Sequence, residues 1–230
     1  MAAASSLRRI PVELLERMAR ELPADQRDEM AIPSYLHRNP AMRWMAWRRV
    51  EVLAARLRRV GRASPPGTVL DFGCGAGVLF EEASKLAGRV IGVDIVLDAA
   101  RMTVQALGLD KVTLLSPDDA VTAVAPGSVD VLLAGEVLEH LDDKLEPTLA
   151  RFRSWLSPRG RLLVSLPTES PLYRLGRRLA GFHGHYHHHD AAAIHRAILA
   201  AGYRELATDK VPLGGPLSIY WIIEYAAPSA

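Results

Sequence analysis

One short segment carries the residue types that could hold a nucleotide-like ligand. From Val69 to Gly77 it reads Val-Leu-Asp-Phe-Gly-Cys-Gly-Ala-Gly, so an apolar stretch ends in an acid and leads into three alternate glycines. The pattern predicts a buried strand, a tight turn and a helix start at the carboxyl edge of a parallel sheet. Glycines without a Cβ let the backbone approach a ligand closely, and the helix start adds unpaired N–H groups. The candidate contacts are Asp71, Gly73, Cys74, Gly75 and Gly77.

Asp71 bears on the charge of the ligand. A dinucleotide site sets its glycines against a pyrophosphate, which an acid at the strand end would repel. The third glycine of the G-x-G-x-x-G pattern is also missing, because Val78 stands there. An acid suits a positively charged ligand such as S-adenosylmethionine, which carries an ammonium and a sulfonium. Cys74 is interpreted as a small residue that fits the turn.

A second apolar segment, Arg89–Asp94, also ends in an acid. A carboxylate at the tip of the second strand accepts hydrogen bonds from ribose hydroxyls. Asp94 therefore indicates an adenosine ligand, and Ile95 beside it is a further candidate contact. Since dinucleotide enzymes use the same acid, Asp94 alone does not select one chemistry.

Taken in order, residues 69–166 resemble a class I S-adenosylmethionine-dependent methyltransferase. The resemblance rests on the glycine turn, Asp94, the pair Asp118-Asp119, the stretch from Asp130 through Glu136–Leu141, and Leu156–Gly160. It implies an α/β, Rossmann-like fold with a seven-stranded, mostly parallel sheet and helices on both faces. It also implies S-adenosylmethionine as the cofactor.

An upstream segment is similar to a narrower group. Leu36–Arg43 reads Leu-His-Arg-Asn-Pro-Ala-Met-Arg and is similar to the segment before the core of ubiquinone-biosynthesis O-methyltransferases. In that group the arginine that matches Arg43 contacts the cofactor, and Gly135 matches another contact position. The similarity implies the same contacts here, with Glu136 beside the methionine part, and it favours oxygen as the methylated atom.

The pair Asp118-Asp119 follows the third predicted strand, and the resemblance implies that one of these acids meets the adenine amino group. Counting back from Asp130 favours Asp118, whereas the Asp-Ala pairing common in the family favours Asp119. Ser116 with the residues after it also fits a helix cap. The sequence leaves these alternatives open.

Methyl transfer is an in-line displacement, so the protein must orient the acceptor and, for a hydroxyl, remove its proton. Histidine suits this proton transfer at neutral pH. His140 follows the fourth predicted strand at the expected pocket mouth, where capping or packing is the alternative role. Glu136, Glu139 and His140 also resemble a divalent-metal trio proposed for the ubiquinone group. Spacing alone does not make the three converge, so the role of a metal stays open.

Five of the eight histidines fall between residues 181 and 190. His185 and His187 share one side of an extended chain and are candidate bases or clamps for the acceptor. The alternatives are a metal site and a polar loop. Residues 171–182 have the pattern of a basic amphipathic helix, interpreted as a lid that packs on the core or, alternatively, touches a membrane to admit a lipid-like acceptor.

Strand and helix patterns alternate along the core. Strands are predicted near 68–72, 89–94, 111–115, 129–134 and 160–166. Helices are predicted near 11–21, 40–59, 77–87, 97–107, 142–155 and 190–201. The stretches 203–208 and 217–225 would be the last strands, one of them antiparallel, although a surface helix is the alternative for 217–225. Trp44 and Trp47 are predicted to pack in the core.

These patterns divide the chain into two parts. We expect residues 1–60 to form an N-terminal helical lid or scaffold and residues 61–230 to form the cofactor-binding core. A substrate-lid insertion is expected at about 167–190.

Composition excludes several classes of partner. The formal net charge of +2 is too balanced to indicate a nucleic-acid partner, and a single cysteine cannot form an internal disulfide, which fits a reducing cytoplasm. No apolar run reaches the ~20 residues of a transmembrane helix, and no signal core follows Arg8-Arg9. We therefore expect a cytoplasmic protein without stable membrane insertion, in an oligomeric state that the sequence does not indicate.

Together these observations favour transfer of a methyl group from S-adenosylmethionine to a hydroxyl of a small molecule, lipid-like or aromatic. The alternatives are methylation at nitrogen or carbon, a relative that binds the cofactor without transferring methyl, and an NAD-dependent oxidoreductase. Asp71 and Val78 count against the last.

Overall fold

The sheet is the central layer of the molecule. The computed structural model describes residues 7–168 and 191–228. The strands within them are β1 (Thr68–Phe72), β2 (Arg89–Val93), β3 (Val112–Leu115), β4 (Val129–Gly135), β5 (Leu156–Pro167), β6 (Arg204–Pro212) and β7 (Ser218–Ala226). They form one seven-stranded sheet in the order β3-β2-β1-β4-β5-β7-β6. β7 is antiparallel to both neighbours, and the other pairs are parallel. The predicted mostly parallel sheet is confirmed.

Helices cover both faces of the sheet, as predicted. They are α1 (Val12–Glu21), α2 (Ala24–Glu29), α3 (Ile32–Tyr35), α4 (Pro40–Ala63), α5 (Phe80–Leu86), α6 (Asp98–Leu107), α7 (Pro117–Ala123), α8 (Leu145–Trp155) and α9 (Ala191–Ala200). Successive strand residues point to opposite faces, so Val69 belongs to the core shared with α1 and α3–α6, whereas Leu70 belongs to the core shared with α7–α9.

Local sequence signals set the ends of several helices. Asn39 caps α4, because its side-chain oxygen accepts a hydrogen bond from the Ala41 N–H at 2.9 Å and Pro40 stands at the first helical position. α6 ends at Gly108, which has a φ of 60°. These signals place both elements close to where the sequence predicts them.

Some predicted boundaries are wrong. The helix predicted from residue 77 begins at Phe80, because Gly77 has a φ of 71° and cannot be helical. The helix predicted from 142 begins at Leu145, after two short 3₁₀ turns. β5 starts at Leu156 instead of residue 160. The strand predicted at 217–225 is confirmed by β7, and the alternative of a surface helix is wrong.

The N-terminal helices pack on the sheet through one apolar side. Trp47 is buried and contacts Tyr35, with ring centroids 4.6 Å apart and ring planes tilted by 40°. Trp44 is 48% exposed, so its predicted core position is wrong. Trp44 precedes Ala46, the first buried residue of α4, and therefore belongs to the exposed N-terminal end of this helix. Among the described residues, no helix is long and apolar enough to cross a membrane.

Candidate functional site

The glycine turn lies at the carboxyl ends of β1 and β2, beside the point where the strand order reverses. Gly73, Gly75 and Gly77 all have positive φ values, between 48° and 73°. A Cβ on Gly73 would lie 2.6 Å from Val137, and one on Gly77 would lie 2.5 Å from Phe80, whereas Gly75 has no neighbour closer than 3.8 Å. Protein packing therefore excludes side chains at Gly73 and Gly77, and the space over Gly75 is open.

Asp94 is held against this turn. Its Oδ2 accepts a hydrogen bond from the Gly75 N–H at 2.7 Å, and Oδ1 accepts one from the Val96 N–H at 3.3 Å. Asp71, at the end of β1, is 5% exposed. Burial, and secondarily the charge of Asp94, raise the pKa of Asp71 to about 7. The structure thus brings the two sequence-predicted carboxylates together.

Cys74 is buried within the same turn. Burial, followed by the charges of Asp71 and Asp94, raises the pKa of the Cys74 thiol well above its usual value. The side chain is therefore a protonated thiol at neutral pH. This agrees with its interpretation as a small packing residue.

A cleft of about 400 Å³ opens beside the turn, at the ends of β2 and β3. It is lined by Gln26, Ile95, Val96, Leu97, Asp98, Arg101, Leu114, Ser116 and Asp119. Ile95, a candidate contact in the sequence analysis, is 75% exposed at this cleft. Four of these residues, Ile95, Val96, Leu97 and Leu114, are apolar and suit the faces of a planar base, and the polar ones suit its edge.

The acids after β3 have distinct positions. Ser116 caps α7: its Oγ accepts a hydrogen bond from the Asp119 N–H at 3.1 Å and donates one to Asp119 Oδ2 at 2.7 Å. The helix-cap interpretation is therefore confirmed. Both acids are exposed on the first turn of α7, but only Asp119 lines the cleft.

At the end of β4 the chain bends sharply. Gly135 ends the strand, and Glu136 has a φ of 58°, which is uncommon for a residue with a side chain. Glu136 Oε1 lies 2.6 Å from Arg49 Nε and accepts a hydrogen bond from Ser165 Oγ at 3.1 Å. The Glu136 N–H also donates to the Ser165 carbonyl oxygen at 2.9 Å. These contacts hold a strained residue in place.

Arg49 is the centre of a buried group that we call the Arg49 cluster: Tyr35, Arg49, Glu136, Ser165 and Tyr220. Arg49 Nη1 donates to Tyr220 Oη at 3.1 Å, and the guanidinium lies over the rings of Tyr35 and Tyr220 at 5.8 and 5.2 Å. Such contacts combine a charged hydrogen bond with cation–π attraction. Elements far apart in the chain thereby meet at one edge of the sheet.

Burial and the neighbouring charges shift the pKa values of the residues in the Arg49 cluster. Burial lowers the pKa of Arg49, but the Glu136 carboxylate and both tyrosines together raise it well above its ordinary value. Burial raises the pKa of Tyr220 to about 12 in spite of Arg49. Burial also raises the pKa of Glu136, against the opposing effects of Arg49 and Ser165. Arg49 is therefore the fixed cation of the cluster.

The sequence analysis did not identify Arg49. A signal exists in α4, where Arg49 and Arg56 are seven residues apart beside the apolar stripe, and both are buried. Arg56 pairs with Asp209 at 2.6 Å and with Glu224 at 3.5 Å. Two arginines at this spacing beside an apolar stripe indicate ion pairs on one side of the helix, but the pattern does not identify the acids that pair with them.

The structure separates the trio that resembles a metal site. Glu139 is fully buried, and burial together with the charge of Glu136 raises its pKa to about 8, whereas His140 is exposed on a 3₁₀ turn just after β4. Glu136 faces Arg49. Within residues 7–168 and 191–228, no three His, Cys, Asp or Glu side chains gather as metal ligands would.

Arg43 and two histidines complete the predicted set. Arg43 is exposed, and its Nη1 donates to the His37 carbonyl oxygen at 2.9 Å. His185 and His187 lie outside the described residues, as does the predicted helix at 171–182.

Comparisons with known proteins agree with this geometry. A family model described as a methyltransferase domain matches residues 44–208. The ubiquinone biosynthesis O-methyltransferase of Xanthomonas euvesicatoria pv. vesicatoria (strain 85-10) is 30% identical over 128 residues, which are 54% of this chain and 50% of that protein. The chain thus spans about half the length of the curated relatives it matches.

Solved structures show the same architecture. One is the N-methyltransferase NodS from Bradyrhizobium japonicum WM9 in complex with S-adenosyl-L-homocysteine, with a TM-score of 0.64 and 17% identity over 94% of this chain and 99% of that one. Another is magnesium protoporphyrin IX methyltransferase (ChlM) from Synechocystis PCC 6803 with bound S-adenosylhomocysteine, with a TM-score of 0.64 and 19% identity over 94% and 99%. The likeness confirms the predicted class I methyltransferase fold.

Proposed function

Because the chain belongs to the family of S-adenosylmethionine-dependent methyltransferase domains, we propose that it transfers a methyl group to a hydroxyl of a small molecule. The observation that carries the proposal is the pairing of Asp71 and Asp94 around the open Gly75 position. Two adjacent carboxylates attract a cation that also offers hydroxyl donors. S-adenosylmethionine has both features.

The proposed cofactor position follows the edge of the sheet. Asp94 receives the ribose hydroxyls, and Asp71 lies on the side of the positive charges. The adenine enters the cleft beside Ile95, with Asp118 or Asp119 at its amino group. The methionine part lies along Gly73–Gly77 and Gly135, with Glu136 near its ammonium and Arg43 reaching its carboxylate from the N-terminal segment.

The proposed reaction is an in-line displacement. The bond between the sulfonium sulfur and the methyl carbon breaks, its electron pair stays on sulfur, and a new bond forms between that carbon and the acceptor oxygen. The acceptor proton passes to a histidine. His140 is the proposed base among the described residues, and His185 and His187 remain candidates for the same role.

Several observations support oxygen as the atom methylated. The curated relative named above is an O-methyltransferase. Ala134-Gly135-Glu136 stands at the end of β4, where an Asn/Asp-Pro-Pro-Tyr signature would indicate methylation of amino groups. We further propose an acceptor that is lipid-like or aromatic and a cytoplasmic enzyme. In this proposal residues 1–60 serve as a lid over the core at 61–230, and the insertion at about 167–190 contacts the acceptor.

The test combines binding with turnover. Calorimetry should show binding of S-adenosylhomocysteine and none of NAD. Purified protein with methyl-labelled S-adenosylmethionine and a panel of catechols, phenols and amines should give label on oxygen by mass spectrometry, and Asp94→Ala should give less label at subsaturating S-adenosylmethionine. Label on nitrogen or carbon would contradict the oxygen assignment, and binding without turnover across the panel would contradict methyl transfer to these acceptor classes.

A further inference from the structure

The cleft beside the glycine turn has one wall that comes from the N-terminal helices. Gln26 on α2 lines it, opposite residues that follow β2 and β3. α2 is fixed in this place, because Arg27 Nη1 donates to the Ala19 carbonyl oxygen at 2.6 Å and Met30, just after the helix, is the nearest neighbour of Gly75. Gln26 therefore lies on a helix that packs beside the glycine turn.

Other polar side chains at the cleft already have partners. Asp119 and Ser116 bond to each other in the cap of α7. Asp98 pairs with Arg101 at 2.9 Å. The Gln26 side-chain oxygen is different: it is buried and has no hydrogen-bond partner among the residues that the structure describes. A buried polar atom of this kind costs free energy unless a ligand or water satisfies it.

The chemistry of a carboxamide suggests what satisfies it. Its oxygen accepts and its NH₂ donates, and the terminal torsion of glutamine is broad, so the group can turn toward the cleft. This donor–acceptor pair matches the N6 amino group and N7 of adenine, the bidentate pairing by which glutamine reads adenine in nucleic acids. The apolar residues Val96, Leu97 and Leu114 would cover the faces of the ring.

We infer that Gln26 reads the edge of the cofactor's adenine and makes the site selective for adenine over a 6-oxo purine. The inference rests on the proposed function, since it assumes that the cleft holds the adenosine of S-adenosylmethionine. It adds a selectivity residue from outside the glycine turn and the loop after β3. α2 thereby becomes part of the cofactor site.

The experiment compares two ligands in calorimetry: S-adenosylhomocysteine and S-inosylhomocysteine, which carries a 6-oxo group in place of the amino group. Unmodified protein should bind the adenine ligand about tenfold or more tightly than the 6-oxo ligand. Gln26→Leu should lose about tenfold for S-adenosylhomocysteine and bring the two affinities close together. Gln105→Leu, at an exposed position on α6, is the matched control and should keep the ratio.

Each outcome bears on the inference. A ratio that Gln26→Leu leaves unchanged would assign selectivity to Asp118 or Asp119 and overturn it. If Gln26→Leu unfolds, Gln26→Ala gives the same comparison with a smaller side chain. Absence of S-adenosylhomocysteine binding in the unmodified protein would overturn the proposed function and this inference together, whereas binding with the ratio unchanged in the variants overturns the inference alone.

Discussion

Two parts of the same sheet edge are built in different ways. The glycine turn, with Asp71 and Asp94, is assembled from residues close together in the chain, and the Asp94 carboxylate accepts hydrogen bonds from the Gly75 and Val96 backbone N–H groups. The Arg49 cluster draws its side chains from α3, α4, β5, β7 and the residue after β4, and its Arg49–Tyr220 bond spans 171 positions. The first part offers backbone groups to a ligand, whereas the second holds a charge in place.

This difference in construction indicates which part of the sheet edge can distinguish one methyl acceptor from another. Backbone donors and two carboxylates suit any ligand with the shape and charge of the cofactor, so the turn defines a general site. The Arg49 cluster fixes the carboxylate of Glu136, which is partly exposed, on the side of β4 that faces β5 and β7. This side is where we expect differences between acceptors to be read.

The largest effect is expected from breaking the Arg49 cluster. Arg49→Met should destabilise the protein by about 3 kcal/mol, because Glu136 would keep a charge in low-dielectric surroundings without its cation. Thermal unfolding should show a fall of roughly 6–12 °C in Tm for a chain of this size.

A neighbouring residue provides the control. Arg48 pairs with Glu51 at 3.5 Å at the surface, so Arg48→Met should cost less than about 1 kcal/mol. Adding Glu136→Gln to Arg49→Met should recover much of the loss, because it removes the unpaired charge. Equal stability of the Arg48 and Arg49 variants would show that the Arg49 cluster contributes no more to the free energy of unfolding than a surface ion pair.

The sequence predicts the first part of the edge and not the second, for a physical reason. Apolar strands that end in acids, followed by glycines, are local patterns, so Asp71, Asp94 and the first four strands are placed within a residue or so of their observed positions. Arg49 acquires its role from partners that only the folded chain brings near. The start of α5 is predicted too early because periodicity does not reveal the positive φ of Gly77.

The next largest effect is expected on kcat, from a residue that follows β4. His140→Ala should lower kcat by ~10²-fold or more if His140 takes the acceptor proton, with the affinity for S-adenosylhomocysteine nearly intact. His195→Gln is a control in a different environment, since His195 on α9 has its Nδ1 2.6 Å from the Oη of Tyr225 on β7. Full activity of His140→Ala would remove His140 as the base and leave His185 and His187 as the histidine candidates.

A smaller effect is expected in the glycine turn. Asp94→Ala should weaken S-adenosylhomocysteine at least tenfold in calorimetry, because it removes the acceptor of both ribose hydroxyls and the contact to the Gly75 N–H. Asp110→Ala, at an exposed turn before β3, should leave the affinity unchanged. An unchanged affinity in Asp94→Ala would contradict the assignment of Asp94 and place the ribose elsewhere.

The smallest effect is a dependence of cofactor affinity on pH, set by Asp71. The folded pKa of about 7 lies above the ordinary value of 3.8, so the folded protein without ligand holds a proton on Asp71 below pH 7. An ammonium ligand prefers the ionised carboxylate, and a proton must therefore leave as the ligand binds. Affinity for S-adenosylhomocysteine should fall as the pH drops from 8 to 6, approaching tenfold per unit below pH 7.

The raised pKa of Asp71 affects folding stability in the opposite direction from ligand affinity. Because the unfolded chain ionises Asp71 near its ordinary pKa, the folded state binds the proton more tightly, and this contribution to stability is lost as the pH rises from about 4 to 7. Asp71→Asn removes both dependences while keeping the shape of the side chain. Its affinity should be weaker at pH 8 and nearly constant between pH 6 and 8. If the affinity of Asp71→Asn still falls between pH 8 and pH 6, another group titrates. Asp71 would then not be the residue of the glycine turn that binds the positive charge of the ligand.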